Sequence, residues 1–167
     1  SLAAEFLAHP NEDVRLWTIR FLGDTRNVSE SLSNQLVGLA HSDPSARVRS
    51  QLAATCKRLP GKDALPILRQ LLLHEEDLND PHIPLLLWWV VEDKAISDRE
   101  AVLKLLASPK AWEIALCREV VLGRLMQRYA AEVNETGFAA CARLLASTRK
   151  REERQKMLAA LGQGLQG

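Results

Sequence analysis

The 167-residue sequence predicts an all-α chain wound as a right-handed α-α superhelix, a solenoid of about five helical hairpins. Three observations carry that expectation. Strand signals are scarce: there is one Tyr, Ala and Leu dominate, and no stretch sustains the apolar/polar alternation of a half-buried strand. Apolar residues recur instead at helical spacing, as at Val14, Trp17, Ile19, Phe21 and Leu22. Five similar helix openings also recur, at His9, Ser42, Asn79, Ser108 and Ser147.

The openings read HPNEDVR, SDPSARVR, NDPHIPL, SPKAWEI and STRKREE: a polar or small residue, Pro in four of the five, then an amphipathic helix. The prolines at 10, 44, 81 and 109 are 34, 37 and 28 residues apart, the drifting period of stacked hairpins whose insertions collect in loops. Asp43-Pro44 and Asp80-Pro81 are expected to set a capping acid before a proline whose fixed φ and missing N–H suit the first helical turn. Partner helices are expected at roughly 2–8, 29–41, 62–75, 98–107 and 133–146. Ser29, Asp63, Asp98 and Asn134 are their expected caps, and Gly23 and Gly61 stand where helices should stop. One hairpin cannot bury both of its apolar faces, so neighbours must stack on it layer by layer. The chain is expected to be one domain, 1–167, a fragment of a longer multidomain protein because it opens in mid-helix.

Composition narrows the function classes. Hydrophobic residues make up 47% and charged residues 26%, as in a globular protein. Lys and Arg total 22 against 21 Asp and Glu, a net charge of +1, which argues against a nucleic-acid partner because such binders concentrate positive charge on phosphates. SLAAEFLAHPNEDVR lacks the basic start and long apolar core of a signal peptide. Cys56, Cys117 and Cys141 lie far apart in apolar helical contexts and read as small core residues, not as a disulfide framework or metal cluster.

The stretch NDPHIPLLLWWVVED, residues 79–93, is the most unusual. Its nine uncharged residues, Ile83 to Val91, fall short of the about 20 needed to span a membrane, so direct insertion is not expected. Adjacent helical residues point about 100° apart, so Trp88 and Trp89 can both be buried only if their helix is covered on two sides, as a middle layer would be. Trp88 and Glu92 share a face, with Asp80 and His82 at the helix start; any pocket is expected there.

Other candidates are weaker. His9, His41, His74 and His82 all lie at helix ends or turns, none at metal-ligand spacing, and HEED at 74–77 reads as a polar helix end. STRKREERQK reads as a solvated helix start, with Glu152 and Lys156 a favourable i, i+4 pair. Arg15, Arg20, Arg49 and Lys57, on the second helices, could line a concave partner surface. No nucleophile elbow, phosphate loop or dinucleotide fingerprint occurs. The sequons at Asn27 and Asn134 are three-residue matches of the kind that arise by chance.

NEDVRLWTIRFLGD and DPSARVRSQLAATCKRL resemble HEAT repeats with Asp-x-x-Val-Arg at the head of the second helix, matched by Asp13, Val14 and Arg15 and again by Val48 and Arg49. The resemblance implies an inter-repeat ladder drawing on Asp13, Arg15 and Arg49. No Arg stands in place at Ile83-Pro84 or Ile114-Ala115, so the ladder should stop after two rungs. RVRSQLA followed by NDPHIPLLLWWVVED further resembles the HEAT segment of the multidomain haem-binding proteins of planctomycetes and verrucomicrobia, labelled membrane-bound dehydrogenases. In that family a sugar-dehydrogenase-like propeller precedes the HEAT segment and a cytochrome c domain with CxxCH follows. No CxxCH occurs here, so the segment itself is expected to hold no cofactor, with haem c confined to the rest of the parent protein.

The leading expectation is a non-enzymatic scaffold that spaces or docks neighbouring domains of a cell-envelope redox protein, with protein partners and self-association through exposed end repeats. Two rivals share the fold. One is a HEAT-like DNA glycosylase for alkylated bases using Trp88, Trp89 and Asp93, weakened by the absence of Lys and Arg from 79–93; the other is a bilin-lyase-like HEAT protein.

Overall fold

The computed structural model describes residues 1–166, which are all-helical, with no strand among them. Its contacts gather into two compact units, Ser1–Val90 and a second beginning at Val91. Both are built of stacked α-α hairpins.

In the first unit α1 (Leu2–Leu7) and α2 (Glu12–Asp24) form one hairpin, α3 (Glu30–Ser42) and α4 (Ala46–Cys56) the next. α5 (Gly61–Leu71) is followed by a 3-10 turn (Glu75–Asn79) and α6 (Ile83–Ser97). First helices stack on first helices, α1 on α3 and α3 on α5, while α2 lies along α4. The caps explain the helix starts. Side chains of Ser1, Asn11, Ser29 and Ser45 each accept a backbone N–H from the first turn, and Glu12 and Asp13 add negative charge where the α2 dipole is positive. Ile19, Leu36, Val48, Leu52, Ile67, Leu68 and Leu87 are fully buried between the layers.

Three local expectations change. Pro44 and Pro81 precede their helices instead of entering the first turn. Asp43 closes α3 and accepts Ser45 N–H at 3.0 Å, whereas the α4 cap is Ser45; Asp80 does cap, accepting the N–H groups of His82 and Ile83 at 2.8 and 2.9 Å. Gly61 opens α5 instead of ending α4, because the Pro60 carbonyl accepts the N–H groups of Asp63 and Ala64. Asp63 is not a cap but lies inside the first turn, buried, where its Oδ1 accepts the Ser33 hydroxyl at 3.0 Å and its Oδ2 has no partner.

The second unit contains α7 (Arg99–Leu106), α8 (Pro109–Glu113), a π turn (Cys117–Val121), α9 (Leu122–Ala130), α10 (Glu135–Ala146) and α11 (Arg151–Leu165). α7 packs on α10, and α9 on α11. Asn134 caps α10, accepting Gly137 N–H at 2.8 Å; Asp98 stands at the α7 N-terminus without a side-chain cap bond. The helix expected to run on from Ser108 is broken at Ile114, whose extended backbone ends α8 before the chain resumes through the π turn. The break turns Trp112 inward, where its indole donates to Ser147 Oγ at 3.1 Å. α9 and α11 approach closely at Gly164, which faces the Gln127 carbonyl and Ala130.

Candidate functional site

Two buried rungs lock the layers of the first unit. The Arg15 guanidinium meets the Asp43 carboxylate two-pronged, at 2.7 and 2.9 Å, and also donates to the His9 carbonyl six residues back at 2.9 Å. Arg49 repeats the arrangement one layer on, with Asp77 at 2.6 Å twice and the Asp43 carbonyl, again six residues back, at 2.9 Å. Each hydrogen bond to its aspartate raises the affinity of the arginine for its proton. The rung carboxylates are thus Asp43 and Asp77. Asp13 instead pairs with Arg47 at 2.8 Å in an exposed bridge between α2 and α4. The head of α6, Ile83-Pro84-Leu85-Leu86, carries no arginine, so no third guanidinium follows. Arg118 of the second unit keeps only the carbonyl half of the pattern, donating to Trp112 O six residues back at 2.9 Å.

These rungs take Arg15 and Arg49 out of any partner surface: their side chains are 11% and 5% exposed. Trp88 leaves it too, at 9% exposed. Trp89 turns out, 40% exposed, with the Lys57 ammonium 5.6 Å from its ring centre, so the two-sided cover expected for both indoles reaches only one. Arg20, Lys57 and Glu92 are exposed. Arg20 stacks over Trp17 at 5.2 Å.

A groove of about 310 Å³ opens across the second helices of the first unit, lined by Leu16, Ala46, Arg47, Ser50, Gln51, Ala54, Asp80 and His82. Asp80 and His82 lie where a pocket was expected; Trp88 and Glu92 do not line it. The α4 contribution was missed, although 47, 50, 51 and 54 recur at helical spacing and are the polar or small complement of the buried set Val48, Leu52, Ala53 and Cys56. Small Ala46, Ser50 and Ala54 make the concavity.

The charged groups at the groove are already engaged. Glu12 accepts from the Ser45 hydroxyl and from Arg47 at 2.7 Å, and these bonds hold its carboxyl below the usual range. Asp80 is lowered by the Ile83 and His82 amides it caps. Neither carboxylate is poised near neutrality as a general acid or base would be. Burial pushes the Cys117 thiol up to about 12 and raises Cys141, the reverse of an activated nucleophile. No group of His, Cys, Asp and Glu among the described residues is placed to hold a metal ion. The residues proposed for base recognition do not suit that role, because Trp88 has no face to offer a base and Asp93 pairs with Lys94 at 2.7 Å. His74 bridges layers, with Nε2 2.8 Å from the Ala40 carbonyl and Nδ1 2.9 Å from Glu76. Among the described residues no helix is long and apolar enough to cross a membrane.

The family model for HEAT repeats matches residues 1–80, the stretch that carries both rungs and most of the groove. No curated protein and no solved structure matches the chain.

Proposed function

We propose that the chain is a non-enzymatic docking module whose first unit receives a protein partner in the α2–α4 groove. The carrying observation is the character of that groove. It is concave, lined mostly by small or uncharged side chains, its Arg47 is held by Glu12 and Asp13, and its Asp80 is spent on capping the backbone, so it holds no group tuned for chemistry. HEAT repeats generally mediate protein–protein contact, and the HEAT-matched segment supplies the groove. Trp17 on α2 and Leu85 and Trp89 on α6, between 40% and 49% exposed, offer apolar anchors in the same unit.

The finer reading is that the partner is a neighbouring domain of a longer cell-envelope redox protein, and that the module spaces or docks a propeller against a cytochrome segment. It rests on the resemblance carried by RVRSQLA and NDPHIPLLLWWVVED. We also read the exposed apolar helix faces as self-association surfaces. Cross-linking mass spectrometry on the full-length gene product tests the docking. Cross-links from Lys57 or Lys62 to a propeller or CxxCH segment are expected. A gene product without those segments overturns the redox setting, and cross-links confined to 1–167 overturn domain docking.

A further inference from the structure

Positions 46, 50 and 54 of α4 are Ala, Ser and Ala, each one helical turn from the next. With Leu16 of α2 and with Asp80 and His82 ahead of α6 they frame the groove. Its polar wall is only partly used. Among the described residues the Ser50 hydroxyl has no partner, and Gln51 spends its amide nitrogen on Thr55 Oγ1 at 3.1 Å while its Oε1 accepts nothing.

Engaged as they are, the charged groups do not cancel. Among the described residues that line the groove, only Arg47 is a permanent cation, and no lysine lines it. Glu12 at 2.7 Å and Asp13 at 2.8 Å both hold Arg47, so these three groups together keep one negative charge. Asp80 adds a second. Its Oδ1 accepts the amides of His82 and Ile83, whereas its Oδ2 has no partner among the described residues. The Ile83 and His82 amides hold the Asp80 carboxyl below the usual range, and the Ser45 hydroxyl and Arg47 do the same for Glu12, so both stay ionised at neutral pH. Exposed Glu75 and Glu76, on the turn that leads into Asp80, extend the negative rim, and the nearby Arg49 charge is taken up by Asp77.

We propose that the segment received in the groove is cationic: a peptide stretch whose Lys or Arg lays its aliphatic stem along Leu16, Ala46 and Ala54 and sets its charge on Asp80. Ser50 and Gln51 serve as further acceptors for it. The proposal deepens the groove reading above and rests on it. An acidic segment would meet like charge at this rim, and a purely apolar one would cover the open Asp80 oxygen without pairing it.

Selection of a random peptide library displayed on phage against the 167-residue chain, with counter-selection on Ser50→Trp, tests it. Trp at position 50 fills the groove from the α4 side. Asp80→Asn keeps a side-chain oxygen to cap α6 and removes only the charge. Circular dichroism checks the helix content of both variants, and Ala54→Trp takes the place of Ser50→Trp if that content falls. Peptides that need the open groove should be enriched in Lys and Arg and should weaken as salt is raised. They should bind Asp80→Asn about ten-fold or more weakly, the loss of a hydrogen bond to a charged group. Groove-dependent peptides that are neutral or acidic, or basic ones that Asp80→Asn binds equally well, overturn the cationic assignment and leave the groove reading standing. A selection in which every binder also recognises Ser50→Trp, or which yields no binder, overturns the groove reading with it.

Discussion

Replacing Arg49 by Met removes the cation of the most buried rung while keeping much of its side-chain volume. Arg49 and Asp77 are 5% and 3% exposed, and the substitution deletes two bonds of 2.6 Å to the carboxylate and one of 2.9 Å to the Asp43 carbonyl. The dominant cost is not the lost attraction but Asp77 left buried with no cation, which should destabilise by about 3–5 kcal/mol. Arg49→Lys, a point charge that cannot match both oxygens, should lose about 1.5–3 kcal/mol. Removing both charges, as Arg49→Met with Asp77→Leu, should restore most of the loss, because a desolvated pair is often replaceable by apolar packing at little net cost. Arg47→Ala, which breaks bridges of a side chain 61% exposed, should cost under about 1 kcal/mol. Urea unfolding followed by circular dichroism, with slopes compared between variants, measures all four. If Arg49→Met costs no more than Arg47→Ala, or if the double variant is as weak as the single, the rung does not hold the layers as described.

Further outcomes follow from the packing and the hydrogen bonds. Gly164→Ala should destabilise the second unit by about 1–3 kcal/mol in thermal melts, since its Cβ would sit 2.5 Å from the Gln127 carbonyl, a backbone atom that no rotamer can move. Gly162→Ala in the same helix, with open space around it, should be neutral or stabilising by about 0.4–1 kcal/mol. Acrylamide should quench Trp17 and Trp89 but not Trp88 or Trp112 in single-tryptophan variants, since the first two are 49% and 40% exposed and the others 9% and 5%. Glu12, Glu76, Asp80, Glu119 and Glu153 are all held below their ordinary values by hydrogen bonds from side chains or backbone amides. Groups lowered on folding stabilise above the unfolded-state value, so acid titration should show a plateau above about pH 4.5 and a decline below it. Burial pushes the Tyr129 phenol up to about 12; a raised acid stabilises below its unfolded value, so a second loss should begin above about pH 10.

The hairpins were legible because local physics writes them: polar caps at Ser29 and Asn134, and apolar recurrence at helical spacing. The arginines at 15 and 49, and the lack of one at Ile83-Pro84, were legible too, since each is set by its own helix head. Their carboxylates were not. Asp43 and Asp77 lie 28 residues from the arginines they bind, and that pairing depends on how one layer seats on the next, which no local pattern records. The same limit applies to the tryptophans: helical geometry separates Trp88 from Trp89 by a third of a turn, but only packing decides which one is covered. Asp63 misled because it sits beside the helix start as a cap would, yet the Pro60 carbonyl had already set that start one turn earlier. The α4 side of the groove was visible in principle, as the small and polar face of an amphipathic helix, but concavity needs the neighbouring α2 to frame it.

Hydrogen exchange by mass spectrometry, comparing the isolated chain with the full-length gene product, tests the docking groove most directly. Partner seating across α4 and the start of α6 should slow exchange in peptides covering 45–57 and 79–86 in the full-length protein, leaving peptides from α10 unchanged. Equal exchange in the two proteins across 45–57 and 79–86 would contradict a docking role for the groove.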